Sequence, residues 1–271
     1  MTLAELASWL RCPRCFSPLE PHTALVLGCV NGHRFDANKR GYLNALDPSR
    51  GVVGDTATIL AARADFLALG HYSPIADAVA DRLSPGARVV DSGCGTGYYL
   101  GRVLERTAGS TALALDASVA AVASTTRSTG APGLVADVWR DLPIRDARAD
   151  VITCVFAPRN PAEFARVLAP AGRLIVVTPA PNHLAQLRDR GDMIGIQDDK
   201  LQHLDAALSP LFALEDRQPL ERTVSLDAAA QGLVAGMGPS GHHTTAGRSE
   251  PEAIEAIEVT IAIDVSVFVR R

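Results

Sequence analysis

The chain has 271 residues, of which 47% are hydrophobic and 21% are charged, and its formal net charge is −4. These values are typical of a soluble globular protein with a large buried core. No apolar run reaches the roughly 18 residues that a membrane span needs, and the first residues lack the basic and apolar segments of a secretory signal. The negative charge argues against a protein that binds nucleic acid over its whole surface.

The chain divides into three parts. Residues 1–45 are punctuated by Cys, Pro and Gly with little periodicity, which predicts a small module. Residues 46–84 carry apolar side chains at helical spacing, which predicts a helical connector. Residues 85–271 form the third and largest part. The first fifty residues hold six Lys or Arg and four acidic residues, so a positively charged surface would be local to them.

Strand-like and helical stretches alternate along the third part. Continuous Val, Ile and Leu runs joined by helical crossovers are typical of a parallel sheet covered on both faces. The last run, Glu258–Val269, alternates large apolar residues with smaller or polar ones, which predicts a long strand near the sheet edge. Gly236–Gly247 is predicted to be a loop. The earlier predicted strands are Arg88–Asp91, Thr111–Asp116, Gly133–Asp137, Asp150–Phe156 and Arg173–Thr178.

Cysteine and histidine residues are paired near the start of the chain. Two residues separate Cys12 from Cys15, and three separate Cys29 from His33. Two such pairs can complete a tetrahedron around Zn²⁺ and leave no position open for catalysis, which predicts a structural metal. A redox role for Cys12 and Cys15 is one alternative, but such motifs accompany a strand–helix unit. His22 competes as the fourth ligand but lacks the paired spacing.

A glycine-rich turn follows the first predicted strand. Gly93, Gly95 and Gly97 let the backbone turn sharply and approach a ligand at the carboxyl edge of the sheet. A dinucleotide-binding loop would carry Gly or Ala where this chain has Tyr98. The D-x-G-x-G-x-G pattern that begins at Asp91 instead resembles the first motif of class I methyltransferases, which bind S-adenosylmethionine.

Two carboxylates end the next two predicted strands. Asp116 ends the second, where a carboxylate can accept both ribose hydroxyls of an adenosine-containing cofactor. Asp137 ends the third and is expected to reach the adenine amino group. Each acid alone is also explained as a helix cap or a solvated loop charge. Together with the glycine turn, however, they predict a cofactor site.

Several segments together match a known family. They are Cys12–Cys15, Gly32–Tyr42, Gly54–Asp55, Ala62–Arg63, Phe66–Pro74, Asp91–Tyr99, Ala157–Pro158 and Thr178–Leu184. Over nearly its whole length the chain resembles the bacterial 23S rRNA (guanine-N1)-methyltransferases, whose members include the tylosin-resistance enzymes. That branch would add antibiotic resistance to the expected roles. One departure is that the family is partly basic, whereas this chain is acidic.

The resemblance implies a fold, two bound groups and their contacts. It implies an α/β, class I (Rossmann-like) methyltransferase domain with a mostly parallel seven-stranded sheet over residues 85–271, joined to a zinc-ribbon-like module over residues 1–45. It also implies that zinc and S-adenosylmethionine are bound. The implied zinc ligands are Cys12, Cys15, Cys29 and His33. The implied cofactor contacts are Tyr72, the Gly95–Thr96 turn and His183.

The reaction implied is methylation of a ring nitrogen, guanine N1, whose proton must leave. Methyltransferases that act on exocyclic amines carry an Asn/Asp-Pro-Pro-aromatic motif after the fourth strand, and here Phe156–Arg159 reads FAPR. This difference favours ring-nitrogen chemistry. Candidates for the general base are, by position, Asp137, Asp141 and His183, although cofactor binding or structure explains each of them better.

Two other functions fit parts of the sequence. A small-molecule methyltransferase agrees with the acidic charge, but the added zinc module counts against it. A non-catalytic zinc-ribbon binding protein is opposed by the intact glycine loop, Asp116 and Tyr72.

The expected partner is 23S rRNA, at a hairpin loop whose target base can leave the stack. Arg34, Lys39 and Arg40 follow the zinc ligands and are expected to contact phosphates. A homodimer is expected because one small module offers little surface for RNA. The odd number of cysteines and their spacing argue against a disulfide framework. They predict a cytoplasmic protein, and no association with a membrane is expected.

Overall fold

The computed structural model describes residues 2–47, 54–190, 199–237 and 255–271. The strands within these ranges are β1 Glu20–Thr23, β2 Val26–Gly28, β3 Arg34–Asn38, β4 Tyr42–Asn44, β5 Arg88–Ser92, β6 Thr111–Asp116, β7 Gly133–Val135, β8 Ala149–Val155, β9 Leu168–Pro179, β10 Phe212–Leu226 and β11 Ile257–Arg270. The helices are α1 Leu3–Trp9, α2 Ala57–Ala68, α3 Ser73–Ala80, α4 Tyr98–Arg106, α5 Val119–Thr129, α6 Pro161–Val167, α7 Ala185–Asp189, α8 Lys200–Leu208 and α9 Ala228–Met237.

The described strands form one sheet in the order β1-β2-β3-β4-β7-β6-β5-β8-β9-β11-β10. Strands β7, β6, β5, β8 and β9 are parallel neighbours, and β11 lies antiparallel between β9 and β10. These seven strands all come from the third part of the chain. The sheet does not stop there, because β4 pairs in parallel with β7 and joins the strands of the N-terminal module to the others.

The expected seven-stranded sheet is therefore incomplete as a description, since the continuous sheet has eleven strands in the described part of the chain. Strand β7 would otherwise present unpaired backbone N–H and C=O groups at an edge, and β4 satisfies them. Leu43 at the centre of β4 is 1% exposed. The N-terminal module thus shares both backbone hydrogen bonds and apolar packing with the larger part.

Strand β11 lies one position inside the sheet edge, close to where Glu258–Val269 was predicted to be. The edge itself is β10, which pairs with β11 along its whole length and is exposed at most of its residues. Exposed polar positions remove the period-two pattern, and Pro219 is tolerated because an edge strand has one unpaired side. Strand β10 accordingly gave no clear sequence signal.

Each face of the sheet is covered by a separate apolar cluster. One cluster joins helices α2, α3, α4, α5 and α9 to the sheet. Its residues Phe66, Ile75 and Leu100 are at most 1% exposed. The other joins α1, α6 and α8, with Leu10 and Phe164 buried to the same degree. Burial of each such side chain contributes roughly 1.5–3 kcal/mol. Burial on both faces explains why the central strands are apolar throughout.

Helices α2 and α3 occupy the part of the chain expected to be a helical connector, and they pack on the sheet beside α4 and α5. The Thr56 hydroxyl accepts a hydrogen bond from the Ile59 amide and caps α2. None of the described helices is both long and apolar enough to span a bilayer. The predicted loop Gly236–Gly247 begins in the last turn of α9, and beyond Met237 it lies outside the described residues.

Candidate cofactor pocket and zinc centre

The four predicted metal ligands come together near the β2–β3 turn. Their ligand atoms all lie within 4.8 Å of one another. The sulfur of Cys12 lies 3.4 Å from His33 Nδ1, that of Cys29 lies 3.5 Å from the same nitrogen, and Cys15 Sγ lies 3.6 Å from Cys29 Sγ. Among the described residues this is the one such cluster of metal-ligating side chains.

The geometry fits a tetrahedral zinc ion. Zn–S bonds of about 2.3 Å and Zn–N bonds of about 2.0 Å place neighbouring ligand atoms roughly 3.5–3.8 Å apart, which is close to the spacing observed. A disulfide would need sulfur atoms about 2.0 Å apart, and all five cysteines are free thiols. Three thiolates and one imidazole leave no open coordination position, so the metal is structural.

Local hydrogen bonds hold the two ligand turns in place. The Arg14 amide donates to Cys12 Sγ, and the Gly32 amide donates to the Cys29 carbonyl in a turn that Gly32 completes at a φ of 82°. Hydrogen bonds from Asn31 and Ser17 lower the pKa of Cys15 to about 5. A thiolate is the form that binds zinc, so this environment favours a ligand at neutral pH.

Two arginines dock the zinc centre onto the larger part of the molecule. The Arg11 amide donates to the Pro143 carbonyl, and its guanidinium forms an ion pair with Asp146. From the other side, the Arg145 guanidinium donates to the carbonyls of Leu10 (2.9 Å) and Leu19 (2.7 Å). These hydrogen bonds and this ion pair attach the segments beside the ligand turns to the loop after β7.

A cavity of about 620 Å³ opens at the carboxyl ends of the parallel strands. Its size and its mixed apolar and polar lining are typical of a small-molecule site, and this edge of an open α/β sheet is where such ligands bind. Seven of the predicted cofactor residues line it: Tyr72, Gly93, Gly95, Thr96, Asp116, Asp137 and His183.

The glycines of the turn have two different tasks. A side chain at Gly93 would place Cβ 2.3 Å from that of Ala157, and one at Gly97 would lie 2.8 Å from Ser128 Oγ. A Cβ at Gly95 would meet Arg63 Nη1 at 3.6 Å and the Gly93 carbonyl oxygen at 4.0 Å, which are ordinary contacts, and this position faces the cavity. Gly93 and Gly97 therefore permit close packing, whereas Gly95 leaves room for a ligand.

Asp116 lies at the centre of the cavity wall. Its two carboxylate oxygens accept hydrogen bonds from the amides of Gly95 (3.1 Å) and Ser118 (2.8 Å). Burial raises the pKa of Asp116, and these two amides oppose that effect. Asp137 lies beside it, where it accepts from the Trp139 amide at 3.0 Å. Both acids have free lone pairs for a ligand.

Two predicted cofactor residues do not reach the cavity surface. Asp91 is 3% exposed and accepts a hydrogen bond from Thr153 Oγ1 at 2.7 Å beneath the turn. Its burial raises the pKa to about 6. Gly97 forms the N-cap of α4 and packs against α5. Their geometry gives both residues a role in holding the glycine turn rather than in touching a ligand.

Tyr72 and His183 form a buried pair at the other end of the cavity. The Ala262 amide donates to His183 Nδ1 at 3.2 Å, so the neutral ring carries its proton on Nε2. That proton points to the Tyr72 hydroxyl oxygen, 3.0 Å away. The Tyr72 O–H proton is then available to an acceptor in the cavity. Burial, reinforced by Arg188, lowers the pKa of His183 to about 4.

The structure separates the three candidates for the general base. Both ring nitrogens of His183 are engaged, so it has no lone pair for an acceptor proton. Asp141 is exposed and lies outside the lining of the cavity. Asp137 lines the cavity and is the remaining candidate of the three.

Sequence patterns did not single out Arg63, Asp55 or Trp139, which also line the cavity. The Arg63 guanidinium lies 2.5 Å from the Asp55 carboxylate and donates to the Met237 carbonyl at 2.9 Å. Arg63 is the one arginine or lysine in the described lining. Trp139 is 64% exposed at the rim. Gly54–Asp55 and Ala62–Arg63 belong to the segments that match the family, but no local pattern in the sequence predicts that they meet.

Comparisons with known proteins agree with both parts of the molecule. Residues 10–48 match the family model described as "RlmA, N-terminal", a zinc ribbon, and residues 89–175 match the model described as "Methyltransferase domain". The 23S rRNA (guanine(748)-N(1))-methyltransferase of Streptomyces fradiae is 42% identical over 246 residues, which are 88% of each chain.

The chain belongs to the 23S rRNA (guanine-N1)-methyltransferase family. A Micromonospora griseorubida protein whose name assigns it provisionally to the same activity is 37% identical over 96% of each chain. The N-terminal module is thus the zinc ribbon of this family, and the larger part is its class I methyltransferase domain.

A solved structure shares the fold of this family member. One chain of the complex between the Haloferax volcanii Trm112 methyltransferase activator and a methyltransferase aligns with a TM-score of 0.51. The alignment covers 81% of the present chain and 99% of the other, at 19% identity, and it shows the fold alone. The cofactor of this fold is S-adenosylmethionine, and the cavity fits a ligand of this kind, because its lining combines the Asp116 carboxylate with the glycine turn.

Proposed function

We propose that this protein transfers a methyl group from S-adenosylmethionine to N1 of a guanine in a hairpin loop of 23S rRNA. The similarity to the Streptomyces fradiae enzyme, which extends over both the zinc ribbon and the methyltransferase domain, supports the proposal. By analogy with the name of that relative, the proposed target is guanine 748.

The observation that carries the proposal is the shared edge of the sheet. Strand β4 is parallel to β7, and β3 runs back antiparallel to β4, so Arg34 and the ligand His33 lie level with the carboxyl ends of the parallel strands. The cofactor cavity opens at these same ends. One RNA hairpin bound to the zinc ribbon would therefore lie on the side from which the cofactor is reached.

We assign the cofactor contacts residue by residue. Asp116 accepts the ribose hydroxyls, and Asp137 lies where the adenine amino group would be. Tyr72 donates its O–H to the methionine carboxylate and is held by His183, while Arg63 supplies the positive charge that this carboxylate needs. Gly93, Gly95, Thr96 and Gly97 shape the turn, and Asp91 supports it from below.

The cofactor supplies an electrophilic methyl group on a sulfonium: in the transfer the C–S bond breaks, its electrons remain on sulfur, the N1–C bond forms, and the N1 proton is released. The protein's part is mainly alignment, because in-line displacement depends on holding the reacting atoms close and collinear. We propose that the N1 proton is released to solvent, because Asp137, the remaining candidate for the base, is assigned above to the adenine end of the cofactor.

The remaining parts of the proposal concern organisation. We infer that residues 1–45 contact RNA and that residues 85–271 carry out catalysis. Residues 46–84 connect these two parts and form one wall of the cavity. We also propose a cytoplasmic homodimer, since a single zinc ribbon offers little surface for RNA. Sedimentation of the purified protein with and without rRNA measures the dimer.

The deciding experiment is methylation of unmodified 23S rRNA by the purified protein with S-adenosylmethionine, followed by mass-spectrometric mapping of the product. We expect one N1-methylguanine, placed in a hairpin loop. A panel of small phenolic and amine acceptors is the control. Transfer to a small acceptor in preference to rRNA would contradict the proposal.

A further inference from the structure

Phe156 presents an aromatic face to the cavity. It follows β8 directly, lines the cavity and is 40% exposed. Its ring centroid lies 6.2 Å from Tyr72, 6.0 Å from His183 and 6.5 Å from Tyr99. The first two of these neighbours are buried. One part of the Phe156 ring therefore rests on a packed aromatic base, and the rest faces the open cavity.

The backbone holds Phe156 in an unfavourable conformation. Its φ is 53°, a left-handed value that costs a bulky residue roughly 1–2 kcal/mol. Its amide donates to the Val177 carbonyl at 3.1 Å, which fixes the start of the turn. The Cys154 thiol lies 3.4 Å from the Ala157 carbonyl and 3.5 Å from that of Pro158. Strain of this kind persists where the surroundings over-determine it, and it is frequent at functional sites.

The position of Phe156 relative to the cofactor turn is equally fixed. Gly93 approaches Ala157 so closely that any side chain there would collide with it. The segment that carries Phe156 thus touches the glycine turn on one side and the Tyr72–His183 pair on the other. These are the groups assigned above to the methionine end of the cofactor, which bears the methyl group.

From this geometry, and resting on the function proposed above, we propose that Phe156 is the platform on which the extruded guanine stacks while N1 receives the methyl group. A flipped base needs a planar apolar surface to replace its lost neighbours. A π face is that surface, and base–aromatic stacking is tolerant of the base stacked. The rigid base under the ring and the fixed turn would set the height of the guanine relative to the methyl group.

The test compares Phe156→Leu with Phe156→Tyr. Leucine keeps an apolar side chain at the same strained φ but removes the π face, whereas tyrosine retains it. We expect Phe156→Leu to lower kcat/KM for an rRNA hairpin roughly 5- to 100-fold, the equivalent of one lost stack. Phe156→Tyr should stay within about threefold of wild type. Leu214→Ala, which removes a side chain of similar exposure on β10, should have no effect.

Two binding measurements separate stacking from a structural effect. Calorimetric affinity for S-adenosylmethionine should be equal in wild type and Phe156→Leu. In a hairpin with 2-aminopurine at the target position, the fluorescence of that base should rise when the wild-type protein extrudes it in the presence of S-adenosylhomocysteine. The fluorescence intensity with Phe156→Leu should differ from that with wild type. The inference would be overturned, with the proposed function intact, if Phe156→Leu kept the wild-type kcat/KM. The same conclusion would follow if its affinity for S-adenosylmethionine fell by as much as its kcat/KM. Absence of rRNA methylation by the wild-type protein overturns the proposed function and the inference with it.

Discussion

The hydroxyl oxygen of Tyr72 lies 3.0 Å from Nε2 of His183, and this contact determines where the protons of both side chains lie. Because the Ala262 amide occupies Nδ1, a protonated imidazolium would lose that hydrogen bond and leave the amide unpaired. Burial of the ring also disfavours its charged form and is the main reason that the pKa of His183 is lowered to about 4.

The first prediction is a pH dependence of stability that originates in His183. Its pKa is lower in the folded than in the unfolded state, so the unfolded chain binds the extra proton between about pH 6.5 and pH 4. Stability should be fully present above that window and fall as the pH drops through it, by about 1.4 kcal/mol per pH unit. Urea unfolding of wild type and His183→Gln should show a difference near 2 kcal/mol between pH 7 and about pH 5, and parallel curves would contradict it.

The second prediction concerns zinc. Purified protein should contain about one zinc per chain. Cys15→Ser should lose it and become less stable, because the metal contributes folding free energy to the N-terminal module. Cys94→Ala removes a buried cysteine outside the cluster and should keep the full zinc content. A metal-free protein with wild-type stability and activity would show that the cluster is not a zinc site.

The third prediction separates two glycines of the same turn. Both have a positive φ, so an alanine costs roughly 1–2 kcal/mol at either. Only Gly97→Ala also collides with Ser128 and Thr125, so it should lower the melting temperature more. Gly95→Ala should mainly weaken cofactor binding, by about tenfold or more, since its Cβ points into the cavity. Calorimetry measures the cofactor affinity of the two variants and thermal melts measure their stability. Equal losses of affinity in both would show that the cofactor does not lie against Gly95.

The fourth prediction concerns Asp116. Asp116→Asn keeps the size of the side chain but replaces one acceptor oxygen with a donor. Cofactor affinity should fall by about tenfold or more, because the ribose hydroxyls lose a charged acceptor worth roughly 1.5–3 kcal/mol. Asp65→Asn, which alters an exposed acid on α2, is the matched control. Unchanged affinity in Asp116→Asn would place the ribose elsewhere.

The fifth prediction follows from where Lys39 and Arg40 lie. They form the β3–β4 turn, at the amino end of β4 and so at the opposite edge of the sheet from the cavity. The phosphates that Lys39 and Arg40 would bind therefore belong to RNA that flanks the target hairpin. Lys39→Ala with Arg40→Ala should weaken binding of a long 23S rRNA fragment and reduce its salt slope by about 1.5, but leave a minimal hairpin unaffected. Arg222→Ala on β10 is the control, and an unaltered slope with the long fragment would remove these residues from the RNA surface.

Some of this structure was accessible from sequence because its physical cause is local. The apolar runs of β5, β6 and β8 reflect burial on both faces, and the zinc ligands follow from paired spacing within short turns. Asp116 was predictable because a strand end fixes where a carboxylate lies.

Other features depend on contacts between distant residues and left no local pattern. Strand β4 has three residues, too few for a periodicity, and its pairing with β3 and β7 defines it. The Arg63–Asp55 ion pair depends on how α2 packs over the cavity. The sequence after β8 shows only that the exocyclic-amine motif is absent, whereas the positive φ of Phe156 is encoded by no residue pattern.

The pairing of β4 with β7 also limits how such proteins can be recombined. Tyr42 is in register with Gly133 and Asn44 with Val135, and a one-residue shift would turn the buried Leu43 toward the opposite face of the sheet. A chimera that joins the zinc ribbon of one relative to the catalytic part of another at residue 45 would thus inherit two halves of one ladder from different parents. A crossover upstream of β4 would divide the β3–β4 ladder instead, so either exchange should succeed only when the two parents share the register of the strand pair that is cut.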